Sequence, residues 1–163
     1  MREKWIVETK KGDFNGLSAK LKVSPLAVRC LMNRGVESEQ EMREFLYGTL
    51  DDLHDPFLMK GMDEAVREIV KAKEQGRKVA IASDFDCDGI FSAYILWKGF
   101  QKIGLDSEIF TPDRVKEGYG LNRRIVDEAL AGGRDFLVTC DNGIAAESEI
   151  AYAKEMGAKG ITV

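Results

Sequence analysis

Two rhythms of hydrophobic and polar positions divide the chain. Up to Gly76 the apolar residues recur at helical spacing, and the punctuation between them is that of short helices. Trp5 and Ile6 open an apolar N-terminal arm, and Leu17, Ala19 and Leu21 mark a helix over residues 16–23. Ser24 followed by Pro25 is an N-cap with proline at the first helical position, predicting a helix through Cys30 to Asn33 that closes at Gly35. Ser38 with Glu41 forms a capping box ahead of Met42, Phe45 and Leu46. A further helix is expected over residues 64–75, with Asp63 as its cap, Ala65, Ile69, Val70 and Ala72 on its apolar side and Gly76 as its stop.

Beyond residue 78 the rhythm changes to short apolar runs separated by helices. Residues 79–82, 107–110, 136–139 and 159–163 read as strands, too apolar and β-branched for surface loops. Between them lie an almost wholly apolar helix over residues 90–103, expected to be buried and closed by Gly104, a helix capped by Asn122, and a helix over residues 147–156. This β-α-β-α-β-α-β alternation predicts an α/β fold, a doubly wound and mostly parallel sheet with right-handed crossovers. The expected organisation is a helical N-terminal extension over residues 1–76 and an α/β domain over residues 77–163. The chain ends inside an apolar strand, from which a longer parent protein is expected.

Composition narrows the classes. The 163 residues suffice for one ordinary domain, or for a domain with an extension, and no apolar run is long enough to span a bilayer, so a cytoplasmic, membrane-free protein is expected. Cys30, Cys87 and Cys140 form no C-x-x-C pair and are odd in number, which argues against a disulfide framework; Cys87 and Cys140 lie beside acidic turns, where a soft-metal role is conceivable, but they read better as small buried hydrophobes. Net charge is −4, and residues 1–60 hold ten Lys or Arg against ten Asp or Glu. No broad basic face exists for nucleic acid, so the helix-turn-helix cadence of residues 17–33 is better read as a packing extension. A phosphate-rich ligand must be met locally, through metals and a few cations.

The chemistry concentrates where strands end. The run Val79-Ala-Ile-Ala-Ser-Asp-Phe-Asp-Cys-Asp-Gly89 delivers Asp84, Asp86 and Asp88 just beyond one strand, and Cys140-Asp-Asn-Gly143 places Asp141 beyond another. In a parallel sheet these ends share one edge, so Asp141 can meet Asp84 and Asp86 if their strands are neighbours. Carboxylates so close repel one another unless a cation lies among them, and hard oxygen donors suit Mg²⁺ or Mn²⁺. Asp88 alone is better read as a helix cap. An EF-hand is excluded, because its last ligand position holds Ile95 and a strand precedes the loop. An aspartyl-phosphate phosphatase, reading Asp86-Cys-Asp-Gly89 as its motif, is a weaker fit. His54 lies among Asp51, Asp52 and Asp55 in what reads as a solvated turn.

The loop over residues 111–122 is long for a compact α/β unit, and loops of that length tend to be functional. Arg114 and Lys116 in it can offset an acidic site or hold a phosphate, or else are solvated loop charges. Tyr119, between Gly118 and Gly120, either exposes its ring for stacking or folds it into the core. Asn142 and Gly143 complete the candidate contacts to a substrate phosphate or base.

With Asp84-x-Asp86-x-Asp88-Gly89 after one strand and Val138-Thr-Cys-Asp-Asn-Gly-Ile144 after another, the chain resembles the DHH phosphoesterase superfamily, and more closely the bacterial RecJ-type single-strand-specific exonucleases. Asn33-Arg-Gly35, Asp55-Pro56, Pro112-Asp-Arg114 and Glu117-Gly-Tyr-Gly-Leu121 extend the likeness along nearly the whole chain. The resemblance implies a two-metal site for Mn²⁺ or Mg²⁺ in the complete protein, with Asp84 and Asp86 as first-motif ligands and Asp141 as the second-motif ligand. It also implies phosphodiester hydrolysis as a 5′-to-3′ exonuclease on single-stranded DNA in repair and recombination. Two departures stand out: RecJ-type enzymes commonly carry a His where this chain has Ala82, and the Asp-His-His motif that supplies further ligands is absent from these residues. This chain alone is therefore expected to be inactive. The alternatives are a DHH phosphodiesterase on short oligonucleotides or cyclic dinucleotides, which should lack the helical extension, and a non-catalytic DNA-binding relative.

Overall fold

The computed structural model describes Ile6 and residues 10–163, which form two compact units, one up to Leu58 and one from Met59 to Val163. The apolar arm opening at Trp5 lies outside the described residues except for Ile6, which is exposed.

The first unit is helical. Helices α1 (Phe14–Leu21), α2 (Pro25–Asn33) and α3 (Glu39–Tyr47) pack Leu21, Val28, Leu31, Met32 and Met42 into a small core. Ser24 and Ser38 cap α2 and α3 as their sequence predicts, the latter with the reciprocal Glu41 capping box. Helix α1 starts two residues before the expected 16, because Asp13 accepts the Gly16 amide at 2.8 Å and sets the first turn. Two single 3-10 turns follow, Leu50–Asp52 and Pro56–Leu58, with His54 exposed between them.

The second unit opens with α4 (Met62–Glu74), then runs β1 (Val79–Ser83), α5 (Cys87–Lys102), β2 (Ser107–Phe110), α6 (Arg123–Ala131), β3 (Phe136–Cys140), α7 (Glu147–Glu155) and β4 (Gly160–Thr162). The strands form one sheet of order β2-β1-β3-β4 with every pair parallel, the doubly wound arrangement that the alternation predicts. One face carries Val79, Ile81, Phe136 and Val138 against Ala72 of α4 and Ala93 and Phe100 of α5. The other carries Ala80, Ala82 and Leu137 against Ile125, Val126 and Ala129 of α6 and Ala153 of α7. Burial on both faces explains why β1 reads as an unbroken apolar run.

The local differences have physical causes. Asp63 does not cap α4: the helix begins at Met62 after Gly61, which adopts left-handed backbone, and Asp63 sits in its first turn. Helix α5 is not buried as its composition suggests. Only one of its sides meets the sheet, so Gly89, Ala93 and Phe100 are buried while Ile90, Phe91, Tyr94 and Ile95 face outward. Cys87 is exposed rather than packed inside and Cys140 is half-buried, while Cys30 is exposed.

Candidate metal centre and substrate loop

Chain reversal in the strand order places β1 and β3 side by side, with α5 leaving one face and α6 arriving on the other. The crevice at such a switch point, outside the carboxyl ends of the strands, is where open α/β sheets bind ligands. Ser83 and Cys140 are partners across β1 and β3, so the next residues, Asp84 and Asp141, leave the sheet at the same level. The juxtaposition expected of these two aspartates is present in the fold.

The first turn is tightly built. Asp84 is buried to 7% exposure, and its Oδ1 accepts the Phe85 amide at 2.7 Å. Asp86, not Asp88, caps α5: its Oδ1 accepts the Gly89 amide at 3.0 Å, while Asp88 lies exposed in the first helical turn. The three-residue spacing from Asp86 to Gly89 is the cap-to-N3 distance, so the sequence carried this signal and the alternation of acids obscured it. Gly89 is required by close approach, since a Cβ there would strike the main-chain carbonyl of Asp84.

The second turn is tied to the first. Asp141 takes left-handed backbone, φ 58°, which aspartate tolerates better than most residues. Asn142 donates its amide nitrogen to the carbonyls of Ala82 at 3.3 Å and Cys140 at 3.2 Å, lacing the ends of β1 and β3 together. Thr139 donates its hydroxyl to the Asn142 carbonyl at 3.0 Å, and Gly143, φ 101°, leaves room that any Cβ would take from Thr139.

The electrostatics of this edge are those of charges left together. Loss of hydration raises the Asp141 carboxyl above its ordinary value, and Asp86 adds to this through its charge and a shared hydrogen bond, followed by the charges of Asp88 and Asp84. None of these four acids forms an ion pair with a described residue. Such a hard, all-oxygen donor set fits a divalent cation such as Mg²⁺ or Mn²⁺. Among the described residues no three acidic, His or Cys side chains close round a metal by themselves, so Asp84, Asp86 and Asp141 could supply only part of a shell. Burial pushes the half-buried Cys140 thiol up, and the neighbouring Asp141 charge adds to this.

A cleft of about 540 Å³ opens over the two turns, lined by Asp84, Asp141, Asn142, Tyr119, Ile144 and Glu149 among others. Tyr119 is exposed, resolving the choice its sequence left open, and its ring lies 5.5 Å from that of Phe85. The Arg114 guanidinium sits over both rings, 4.7 Å from the Phe85 centroid and 5.8 Å from that of Tyr119. Phe85 is the residue that reading the acids alone passes over, although its place between Asp84 and Asp86 turns it away from them. Lys116 is not brought to this cleft. It pairs with Asp113 at 3.5 Å beside a neighbouring hollow that Thr111, Pro112 and Arg124 also line. Asn142 lines the cleft and gives its amide nitrogen to the main chain, while its Oδ1 is buried with no hydrogen-bond partner among the described residues.

Known proteins share this sequence and shape. The single-stranded-DNA-specific exonuclease RecJ of Bacillus subtilis (strain 168) is 36% identical over 155 residues, covering 94% of this chain and 20% of that protein. Its counterpart from Salmonella typhimurium (strain LT2) is 34% identical over 134 residues, 82% of this chain and 22% of that protein. The chain thus spans about one fifth of the length of these curated relatives. A crystal structure of exonuclease RecJ bound to manganese superposes with a TM-score of 0.58 at 34% identity, over 64% of this chain and 27% of that one. The model of the DHH family, N-terminal domain, matches residues 78–163, the stretch that carries both acidic turns, and the chain belongs to the DHH family.

Proposed function

We propose that this chain is the part of a single-strand-specific DNA exonuclease that provides one side of a divalent-metal centre and the loop that meets the substrate. The observation that carries the reading is the pairing of Asp84 and Asp141 at adjacent strand ends, in a cleft that Tyr119 also lines, with Phe85 and Arg114 packed against the Tyr119 ring. Similarity to RecJ exonucleases, one of them bound to manganese, supports the substrate and the metal class.

Asp84, Asp86 and Asp141 would hold Mn²⁺ or Mg²⁺. A bound divalent ion lowers the pKa of a coordinated water and neutralises charge on phosphate oxygens. The chain's own residues do the positioning. Asn142 keeps the two strand ends in register, the Asp86 cap fixes the start of α5, and Arg114 offers a guanidinium to a backbone phosphate. The exposed Tyr119 ring offers a face on which an unpaired base can stack, which a duplex does not supply. Digestion from the 5′ end during repair or recombination is the activity we assign to the longer protein, and the 163-residue chain by itself is inactive.

The test is a cleavage assay of the longer protein that contains this chain, with Mn²⁺, on 5′-labelled single-stranded DNA, on duplex DNA and on dinucleotides. Release of nucleotides from the single strand alone is the expected result. Preference for dinucleotides would assign the site to small-substrate phosphodiesterase chemistry, and binding without any cleavage would mark a non-catalytic relative.

A further inference from the structure

The loop over residues 111–122 is fastened as well as long. Arg124, the second residue of α6, grips Glu117 with two of its nitrogens, Nε on Oε1 and Nη2 on Oε2, the latter at 2.8 Å. The same Nη2 donates to the Thr111 carbonyl at 3.1 Å, so one guanidinium holds the start and the middle of the loop together. Glu117 Oε2 in turn accepts the Asp113 amide at 2.7 Å, and Asp113 Oδ1 accepts the amides of Val115 and Lys116 at 3.0 and 3.2 Å. Helix α6 is itself anchored, with Ile125, Val126 and Ala129 fully buried against the sheet.

Surface ion pairs contribute little when isolated, but bidentate geometry within a network is the exception. This pair has that geometry, and the Glu117 side chain is only 19% exposed. Arg124 drives the Glu117 carboxyl from its ordinary 4.5 down to about 2, with the Asp113 amide assisting, so it remains ionised throughout the neutral range. The same loop carries Arg114 and Tyr119, with the Arg114 guanidinium over the Phe85 and Tyr119 rings.

We propose that Arg124, acting through Glu117, is a positioning residue that presets the 111–122 loop, so that Arg114 and Tyr119 are in place over Phe85 before a strand of DNA arrives. Binding then spares the ordering cost that a loose loop would add. The inference rests on the reading that Arg114 and Tyr119 meet single-stranded DNA.

Four variants of the 163-residue chain test it: Arg124→Gln, Arg124→Lys, Glu128→Gln and Arg114→Ala. Amide hydrogen exchange is followed beside affinity for a short 5′-phosphorylated oligothymidylate in Mn²⁺. Arg124→Gln is expected to speed exchange across residues 113–121 by about tenfold while the β1 and β3 amides stay protected, and to weaken oligonucleotide binding by about fivefold with Mn²⁺ affinity unchanged. Arg124→Lys, which keeps the charge and loses the fork, should fall between parent and Arg124→Gln. Glu128 takes the remaining Arg124 nitrogen, Nη1, at 2.7 Å but does not touch the loop, so Glu128→Gln should leave the loop as it was. Unaltered exchange over 113–121 in Arg124→Gln would overturn the clasp and leave the reading of the cleft standing. Faster exchange with oligonucleotide affinity unmoved in Arg124→Gln and Arg114→Ala alike would overturn that reading, and this inference with it.

Discussion

The two edges of one sheet treat charge in opposite ways. At the amino edge each acid faces a base: Arg134 meets Glu108 at 2.8 Å and Asp106 at 3.8 Å, Lys78 meets Asp106 at 3.8 Å, and Lys159 meets Asp135 at 2.9 Å. At the carboxyl edge Asp84, Asp86, Asp88 and Asp141 have no basic partner among the described residues, and the Asp141 carboxyl is raised, first by loss of hydration and then by the neighbouring acids. Both edges belong to the same four parallel strands, so topology alone does not explain the contrast. A fold seeking only stability would neutralise both ends. Unpaired carboxylates at a strand-end crevice are what a site completed by an external cation requires, and that is the reading proposed above.

The largest effect should come from the close approach beneath that edge. Gly89→Ala forces a Cβ into the Asp84 carbonyl and is expected to destabilise the chain by about 2–3 kcal/mol, read from urea unfolding. Arg134→Gln at the opposite edge removes a partner from Glu108 and Asp106 and should cost about 0.5–1 kcal/mol. Asp141→Asn should shift the urea midpoint of the metal-free chain the other way, upward, because it deletes a charge that the fold disfavours. A loss of stability in Asp141→Asn would erase the contrast between the edges.

Acid sharpens the comparison further. Asp141 binds its proton more tightly folded than unfolded, so its contribution to the metal-free fold is fully present below pH 3.8 and is lost as pH rises through the raised value. Metal needs the carboxylate, so Mn²⁺ affinity should rise over that same interval, with proton release measurable by calorimetry in buffers of different ionisation enthalpy. Glu117 runs in the opposite sense: its clasp contributes fully above pH 4.5 and is lost only as pH falls toward about 2. Hydrogen exchange of residues 113–121, corrected for intrinsic rate, should therefore be flat from neutrality down to about pH 4.5. The smallest effect belongs to Arg114→Ala, whose cation-π contacts are partly solvated and whose loss should lower oligonucleotide affinity by about two- to fivefold.

Much of this architecture was legible in the chain because its signals are local. Ser24-Pro25, the Ser38 and Glu41 capping box and the apolar run of β1 each specify an element within a few residues, and the elements form where expected. The meeting of Asp84 and Asp141 was legible one step further out, from the rule that parallel strands share a carboxyl edge. What escaped depends on contacts between distant or differently oriented residues. Nothing in the spacing of Glu117 and Arg124 announces a clasp, since they lie seven residues apart across a loop and a helix cap. The outward face of α5 was hidden because apolar composition does not say how many sides of a helix a sheet can cover. Phe85 was overlooked because the acids on either side drew the chemistry, and its contact with Arg114 spans two separate loops.

The central claim is that one cation is shared between the ends of β1 and β3. Mn²⁺ titration by calorimetry of this chain beside Asp84→Ala, Asp141→Ala and, from the amino edge, Asp106→Ala tests it most directly. Both carboxyl-edge variants should weaken binding by at least about 100-fold, close to 2.7 kcal/mol each, while Asp106→Ala binds as the parent does. Undiminished binding in either carboxyl-edge variant, or an equal loss in Asp106→Ala, would contradict it.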